Sequence, residues 1–451
     1  MAKPRTASRN SRPKAPAESK TPSASRPSPY APAAAPKAGN SASQPAAGVR
    51  ISRRAADRVR SGHVWVYASD IESMPAEDGV AAGLVPVADY RGILLGAALY
   101  SPNSQIALRM VSKEEITQDE WLGLLARRLR AAIQRRIPLL SAETDACRLC
   151  FSEADELPGI VADKYGKLIV LQLLSRGLDS TAVRDVCVRV FREELSPESI
   201  LERPDPRVRE LEGLSAPELA PLWSANADHP LTLTAFHLNG LDFQYDANAG
   251  QKTGAFLDQR ANYTAAAEWA LRLNATGRGL DVCTYQGGFA LHLARICEQV
   301  TGVDASRASL EMAEKNLAIN RNRLKAEVDW VEADAFALLR DWSDAGQSFD
   351  TVVLDPPAFA KTHRAVEGAL RGYKELNLRA LKMLRAGGLL VTCSCSHHVG
   401  WADLEGAVAS AAADSHRRVR LLERRGAALD HPVVLNLPET EYLKCLVLEV
   451  E

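Results

Sequence analysis

From about Gly279 onward, short apolar runs alternate regularly with helix-like stretches, and this pattern leaves the chain little freedom. The runs at residues 279–283, 299–304, 327–331, 349–354 and 389–393 read as strands. Residues 288–297, 307–320 and 367–384 carry helical spacing between them. Strands alternating with helices at this spacing build βαβ units. They assemble into a parallel sheet covered by helices on both faces, with right-handed crossovers. The expected class is therefore α/β and Rossmann-like, with ligands at the carboxyl ends of the strands.

Those strand ends carry a consistent chemistry. Asp281 closes the first strand, before Cys283-Thr284-Tyr285-Gln286-Gly287-Gly288-Phe289. The glycine pair Gly287-Gly288 lets the backbone approach a ligand at a helix N-terminus. The spacing is not that of a dinucleotide fingerprint. Asp304 ends the second strand, where an acid accepts the two hydroxyls of a ribose. Asp334 follows the third strand, within reach of an adenine edge, and Asp355 ends the fourth in Asp355-Pro356-Pro357-Ala358-Phe359. Four carboxylates would repel a pyrophosphate. They suit a ligand with ribose, amino groups and a positive centre, and S-adenosylmethionine fits. Taken singly, each acid also reads as a helix N-cap.

The fifth strand ends in Thr392-Cys393-Ser394-Cys395-Ser396. A cysteine there faces the methyl donor. Methylation at carbon 5 of a pyrimidine needs a thiolate at carbon 6 to make carbon 5 nucleophilic. Cys395 lies further out, at the loop, and Cys393 is expected to pack inside. His397 and His398 follow as candidate bases. His431-Pro432 reads as a turn. Cys147-x-x-Cys150 has no second pair at metal spacing, so no metal site is read. Cys187, Cys283, Cys297 and Cys445 read as core residues.

The N-terminal half differs. Residues 1–48 hold Lys3, Arg5, Arg9, Arg12, Lys14, Lys20, Arg26 and Lys37 against Glu18 alone. The whole chain has a net charge of −1, so a basic tail precedes an acidic body. The tail is rich in Ala, Pro and Ser and has one aromatic, Tyr30. It reads as a disordered arm. Pro27, Pro29, Pro32 and Pro36 argue against an amphipathic targeting helix. Eight cysteines in 451 residues are too few for a disulfide scaffold, which favours a reducing, cytoplasmic setting. No run of roughly 18 apolar residues suggests a membrane span.

Past the tail, Arg50, Arg53, Arg54, Arg58 and Arg60 run into His63-Val64-Trp65-Val66-Tyr67. Short β-like runs follow at 83–88, 92–100 and 105–111, which suggest a small barrel with a basic, aromatic edge suited to RNA. A solvated charged helix beside an ordinary β core explains the same arginines. Residues 120–136 and 181–194 read as helices, and 160–163, 168–174 and 199–202 as strands. Residues 203–229 look like a connector.

With these residues in view, the chain beyond the tail resembles the bacterial large-subunit rRNA cytosine-C5 methyltransferases that carry an N-terminal PUA domain. The resemblance rests on His63-Val64-Trp65-Val66-Tyr67, Tyr100-Ser101-Pro102-Asn103-Ser104-Gln105-Ile106 and Glu153-Ala154-Asp155-Glu156-Leu157-Pro158-Gly159. It rests further on Gln251-Lys252-Thr253-Gly254-Ala255-Phe256-Leu257-Asp258-Gln259-Arg260, Tyr285-Gln286-Gly287-Gly288-Phe289, Asp355-Pro356-Pro357-Ala358-Phe359, Arg371-Gly372-Tyr373-Lys374 and Ser394-Cys395-Ser396. After the tail over 1–48, which is an addition to the family pattern, it implies a PUA-like RNA-binding domain over 49–118, a central α/β domain over 119–245 and a methyltransferase domain over 246–451. It implies Cys395 as nucleophile and Asp355 as the residue holding a flipped cytosine. The segment 252–260, with Phe256, Asp258 and Arg260, would close over S-adenosylmethionine beside Asp281, Tyr285, Gly287, Gly288, Asp304, Asp334 and Asp355.

Arg53, Arg54, Arg58, Lys361, Arg371 and Lys374 are the expected contacts to large-subunit rRNA, with the protein a monomer or homodimer. Two departures from the family pattern stand out: Cys393, where family members often carry another residue, and His397-His398. Alternatives are methylation at a base nitrogen, such as guanine N7, on the same fold, or a non-catalytic RNA-binding protein of ribosome assembly.

Overall fold

The computed structural model describes residues 48–75, 81–203, 205–215, 220–247, 255–360 and 362–451. The expected disordered tail, the segment 252–254 and Lys361 lie outside the described residues. What is described falls in a single compact unit.

The C-terminal sheet has seven strands: β1 (Arg278–Val282), β2 (Gln299–Asp304), β3 (Glu327–Glu332), β4 (Phe349–Leu354), β5 (Leu384–Ser394), β6 (Val419–Arg425) and β7 (Lys444–Val450). Their order is β3-β2-β1-β4-β5-β7-β6. The first five are parallel and β7 runs antiparallel between β5 and β6. Strand order reverses beside β1, so the crevice at its carboxyl end is the ligand position for such a sheet.

Six helices accompany the sheet: α1 (Arg260–Arg272), α2 (Gly288–Ala294), α3 (Arg307–Asn320), α4 (Ala335–Asp344), α5 (Val366–Met383) and α6 (Trp401–Asp414). Helix α2 is apolar on nearly every side and is accordingly buried from Phe289 to Ala294. It ends three residues before the expected 297. Helices α1, α4 and α6 and strands β6 and β7 were not anticipated from the sequence.

Strands 49–51, 65–66, 71–73, 83–88, 94–100 and 108–112 form a six-stranded, barrel-like N-terminal sheet. The basic run forms the helix Arg53–Arg60, capped by Ser52 Oγ, with Ala55 and Ala56 buried. The central sheet places Ala146–Phe151 at one edge and Trp223–Ser224 at the other. The long helix Gln118–Arg136 packs on this sheet and opens with a Thr117–Glu120 capping box.

The stretch expected as a connector is partly structured. It holds the helix Pro206–Leu211, and both Arg209 and Glu212 are buried. Glu212 accepts from Arg109 Nη2 and from the Arg176 amide, pinning this segment to two neighbouring layers. A hairpin, Leu233–Leu238 with Leu241–Asp246, then turns at Asn239-Gly240. Both turn residues have positive φ (+53° and +79°), which suits a two-residue hairpin turn. Its Tyr245 stacks on Tyr165 of the central sheet at 4.5 Å. One apolar core thereby runs from the central sheet into the C-terminal layer.

Candidate active site

The turn after β1 is held by one carboxylate. Asp281 Oδ2 accepts from Thr284 Oγ1 at 2.5 Å and from the Ala290 amide at 2.8 Å. Burial, with a smaller contribution from Asp304, raises its carboxyl to about 7. Cys283 and Tyr285 take left-handed backbone angles and Gly287 follows at φ +86°, folding the chain tightly into α2. Asp304 Oδ2 accepts from the Tyr285 amide at 2.9 Å, and Oδ1 from the Ser306 amide at 2.8 Å. Asp334 is exposed and caps α4 through the Ala337 amide at 2.9 Å.

The expected acids converge. Burial pushes the Cys283 thiol up, and Asp304, Asp355, Asp281 and Asp334 all push it the same way. Cys283 is thus a wall of the cleft, where the sequence suggested plain core. The cleft is also lined by Phe256, Tyr285, Gly288, Phe289 and Asp355. Phe256 lies edge-on to Tyr285 at 4.9 Å. A Cβ on Gly288 would stand 2.5 Å from the Tyr263 ring, so only glycine admits this close approach.

The donor set fits S-adenosylmethionine on the structure's own terms. Asp281 Oδ1 and Gln286 Oε1 are buried without a partner, two acceptors suited to an ammonium or a hydroxyl. The surrounding carboxylates favour a cationic ligand.

Asp355 lines this cleft, and the next residue, Pro356, meets Cys395 through its carbonyl. Gln259 Nε2 donates to its Oδ1 at 2.9 Å. Burial, then Asp258 and Asp281, raise the Asp355 carboxyl to about 8. Asp258 Oδ2 accepts from Tyr442 Oη at 2.5 Å, while its Oδ1 is buried without a partner. Cys395 lies one residue past β5, partly exposed, with Sγ 3.8 Å from the Pro356 carbonyl oxygen. Cys393 is fully buried, in register with Cys445, and burial pushes its thiol well up. Lys444 Nζ donates to the Ser396 and Tyr442 carbonyls, placing a cation within electrostatic reach of Cys395. His397 packs on Tyr442 at 5.6 Å, and burial lowers its pKa.

The family model described as a PUA-like domain matches residues 49–113. The one described as an S-adenosylmethionine-dependent methyltransferase matches residues 208–434. The ribosomal RNA large subunit methyltransferase I of Pseudoalteromonas translucida is 36% identical over 393 residues, covering 86% of this chain and 95% of the relative. The chain belongs to the ribosomal RNA large subunit methyltransferase I family. A further member, from Cronobacter sakazakii, is also 36% identical, over 85% of this chain and 94% of its own. A Streptococcus mutans structure described as a SAM-dependent methyltransferase shares the fold at a TM-score of 0.72 and 18% identity, covering 89% of this chain and 99% of its own. As a member of this methyltransferase family, the enzyme uses S-adenosylmethionine.

Several residues expected to touch cofactor or RNA are engaged elsewhere. Arg260 is buried, donates to the Ala146 carbonyl at 3.1 Å and pairs with Asp430 at 3.5 Å. It ties layers together, and the structure gives no contact between it and the cleft. Arg58 pairs with Asp70 at 2.5 Å and lies over the Tyr67 ring. Arg371 pairs with Glu367 at 2.6 Å, and Lys374 with Asp414 at 2.7 Å. Arg53 and Arg54 are exposed on the N-terminal helix. Cys147 and Cys150 are buried in a strand, Cys150 donating to the Ile160 carbonyl.

The sequence reading missed Gln259, Tyr442 and Lys444. Gln259 had a signal, since it lies inside the family-like run 251–260. Tyr442 and Lys444 had none, because only the antiparallel β7 carries them back to Cys395.

Proposed function

We propose that this enzyme methylates carbon 5 of a cytosine in large-subunit rRNA through a covalent adduct with Cys395. The observation that carries the reading is a partly exposed thiol set against the Asp355-Pro356 turn at the end of β4. Cys395 Sγ reaches the Pro356 carbonyl while the neighbouring Asp355 is raised to about 8.

Asp281, Asp304, Tyr285 and Gly288 would hold S-adenosylmethionine, which supplies an electrophilic methyl group when bound. Asp355 donates its proton toward cytosine N3, and the Cys395 thiolate forms a bond to C6. The C5=C6 electron pair becomes available at C5. Once C5 carries a methyl group, the C5 proton is lost to water and its bonding pair forms C5=C6 as the S–C6 bond breaks, which restores the thiolate; the N3 proton returns to Asp355. Lys444 favours the thiolate by its charge. Phe256 lines the cleft, and Asp258 acts on Asp355 beside it. Exposed Arg53 and Arg54 of the basic helix face RNA phosphates in this reading, while Arg58, Arg371 and Lys374 would exchange their pairs with Asp70, Glu367 and Asp414 for phosphates.

The division into a tail over 1–48, an RNA-binding part over 49–118, a central part over 119–245 and a catalytic part over 246–451 belongs to the same proposal.

Methyl transfer from labelled S-adenosylmethionine to bacterial large-subunit rRNA tests it, with products read as nucleosides. 5-Methylcytosine should form with wild type and Cys393→Ala and vanish with Cys395→Ala. Methylation that survives Cys395→Ala, or appears on guanine, would replace this chemistry with methylation at a base nitrogen.

A further inference from the structure

The loop between β6 and β7 inverts the usual distribution of side chains. Its polar Asp430 and His431 are 0% and 3% exposed, while its apolar Leu429, Val433 and Leu435 are 80%, 46% and 96% exposed. A buried carboxylate beneath three exposed apolar side chains is the arrangement that carries information, since polar groups are seldom buried unless paired.

The pairing makes the loop rigid. Asp430 Oδ2 accepts from the Arg148 amide at 2.9 Å, and Asp430 O accepts from Arg136 Nη2 at 2.9 Å. Asp430 Oδ1 meets His431 Nδ1 at 3.1 Å and Arg260 at 3.5 Å. Leu435 stands on a tight turn closed by Leu437 N donating to Val434 O at 2.8 Å. Thr440 Oγ1 braces that turn from inside, accepting from Val434 N and donating to Leu437 O.

The turn also has a fixed place between two surfaces. Asn436 Nδ2 donates to the Gly62 carbonyl at 3.2 Å, two residues past the helix that carries Arg53, Arg54 and Arg58. His63 Nε2 donates to Glu439 Oε1 at 3.2 Å. On the other side, Glu439 acts electrostatically on His397, two residues from Cys395, and His397 packs on Tyr442. An exposed leucine on a rigid turn thus lies between the basic helix and the nucleophile's loop.

We infer that Leu435 is an apolar wedge that enters the base stack of the RNA substrate and holds open the gap left when the target nucleotide leaves it. This inference rests on the proposed rRNA chemistry. Chemistry on a stacked base requires the base to be extruded. Proteins that part base steps do so with exposed apolar side chains flanked by phosphate-binding cations. The turn that carries Leu435 is bonded through Asn436 to Gly62, just past the helix with the exposed Arg53 and Arg54, and cations beside an exposed apolar side chain favour RNA as the occupant over another protein.

The test uses the full-length enzyme and a protein-free, folded large-subunit rRNA fragment. The fragment contains the position that wild type methylates and carries 2-aminopurine beside it. Leu435→Ala removes no packed contact and should melt with wild type. It should lower kcat at least tenfold and abolish the rise in 2-aminopurine emission on binding, while the dissociation constant for the fragment changes less than threefold. Leu435→Phe should keep both signals. A kcat for Leu435→Ala within twofold of wild type, or an unchanged emission rise, would overturn the wedge. So would a loss seen only with ribonucleoprotein particles, which would assign the loop to a protein contact. If wild type itself transfers no methyl group to rRNA, the proposed function fails and the wedge with it.

Discussion

Gln259 Nε2 donates to Asp355 Oδ1 at 2.9 Å, and Gln259 Oε1 in turn accepts from Asn262 Nδ2 at 2.6 Å. The second bond fixes the amide so that its NH2 faces the carboxyl. A donor at this position favours ionised Asp355, whereas burial and Asp258 oppose ionisation and prevail. Two substitutions should therefore move Asp355 in opposite directions. Gln259→Leu should raise its pKa further, and Asp258→Asn should lower it. A carboxylate infrared titration of the cofactor-free protein reads both shifts, and a common direction would refute this account of the site.

The same carboxyl sets a pH dependence of stability. Its folded value, about 8, lies above its ordinary 3.8. Between those values the folded state holds a proton that the unfolded state has lost, so stability falls as pH rises through the window. Asp355→Asn removes this decline. Urea unfolding should find Asp355→Asn more stable than wild type at pH 8, by roughly 1–3 kcal/mol. The difference should close as pH approaches 4.

Asp304 accepts two backbone amides at the carboxyl end of β2, where we propose that the ribose binds. Asp304→Ala should weaken S-adenosylmethionine binding by about 1–3 kcal/mol, the range for lost charge-assisted hydrogen bonds. Calorimetry with unchanged affinity would remove Asp304 from the cofactor site.

Asp430 joins the central and C-terminal layers. Burial opposes its ionisation, but His431 and Arg260 hold its carboxyl below the ordinary value. Its contribution is present above the unfolded pKa near 4 and is lost as pH falls through the lower folded value. Asp430→Ala leaves Arg260 buried without this partner and should cost about 3–5 kcal/mol at pH 7. A thermal melt within one or two degrees of wild type would contradict this.

Much of the catalytic layer was legible in the sequence because its signals are local. The expected 299–304 and 349–354 coincide with β2 and β4, and β1 differs by one residue, since buried parallel strands read as short apolar runs. The acids at their ends followed from the same register. The antiparallel β7 was not legible: its run 444–450 begins with a lysine that is buried only because it reaches the Ser396 and Tyr442 carbonyls. Arg260 misled for a related reason. It sits in a cofactor-like run, yet its partner Asp430 is supplied by a distant loop that no local pattern connects to it. Within the run 203–229, read as a connector, Arg209 and Glu212 are buried, because their ion-pair partners Glu202 and Arg109 come from elements brought alongside only by the fold.

The central claim is a bond between Cys395 and cytosine C6, and covalent trapping tests it most directly. An rRNA fragment with 5-fluorocytidine at the methylated position cannot lose a C5 proton, so the adduct persists. Incubated with enzyme and S-adenosylmethionine, it should give a denaturation-resistant complex whose peptide map places the link on Cys395. Wild type and Cys393→Ala should trap equally, and Cys395→Ala should not trap. A methylated fragment with no adduct, or an adduct on Cys393, would contradict the account.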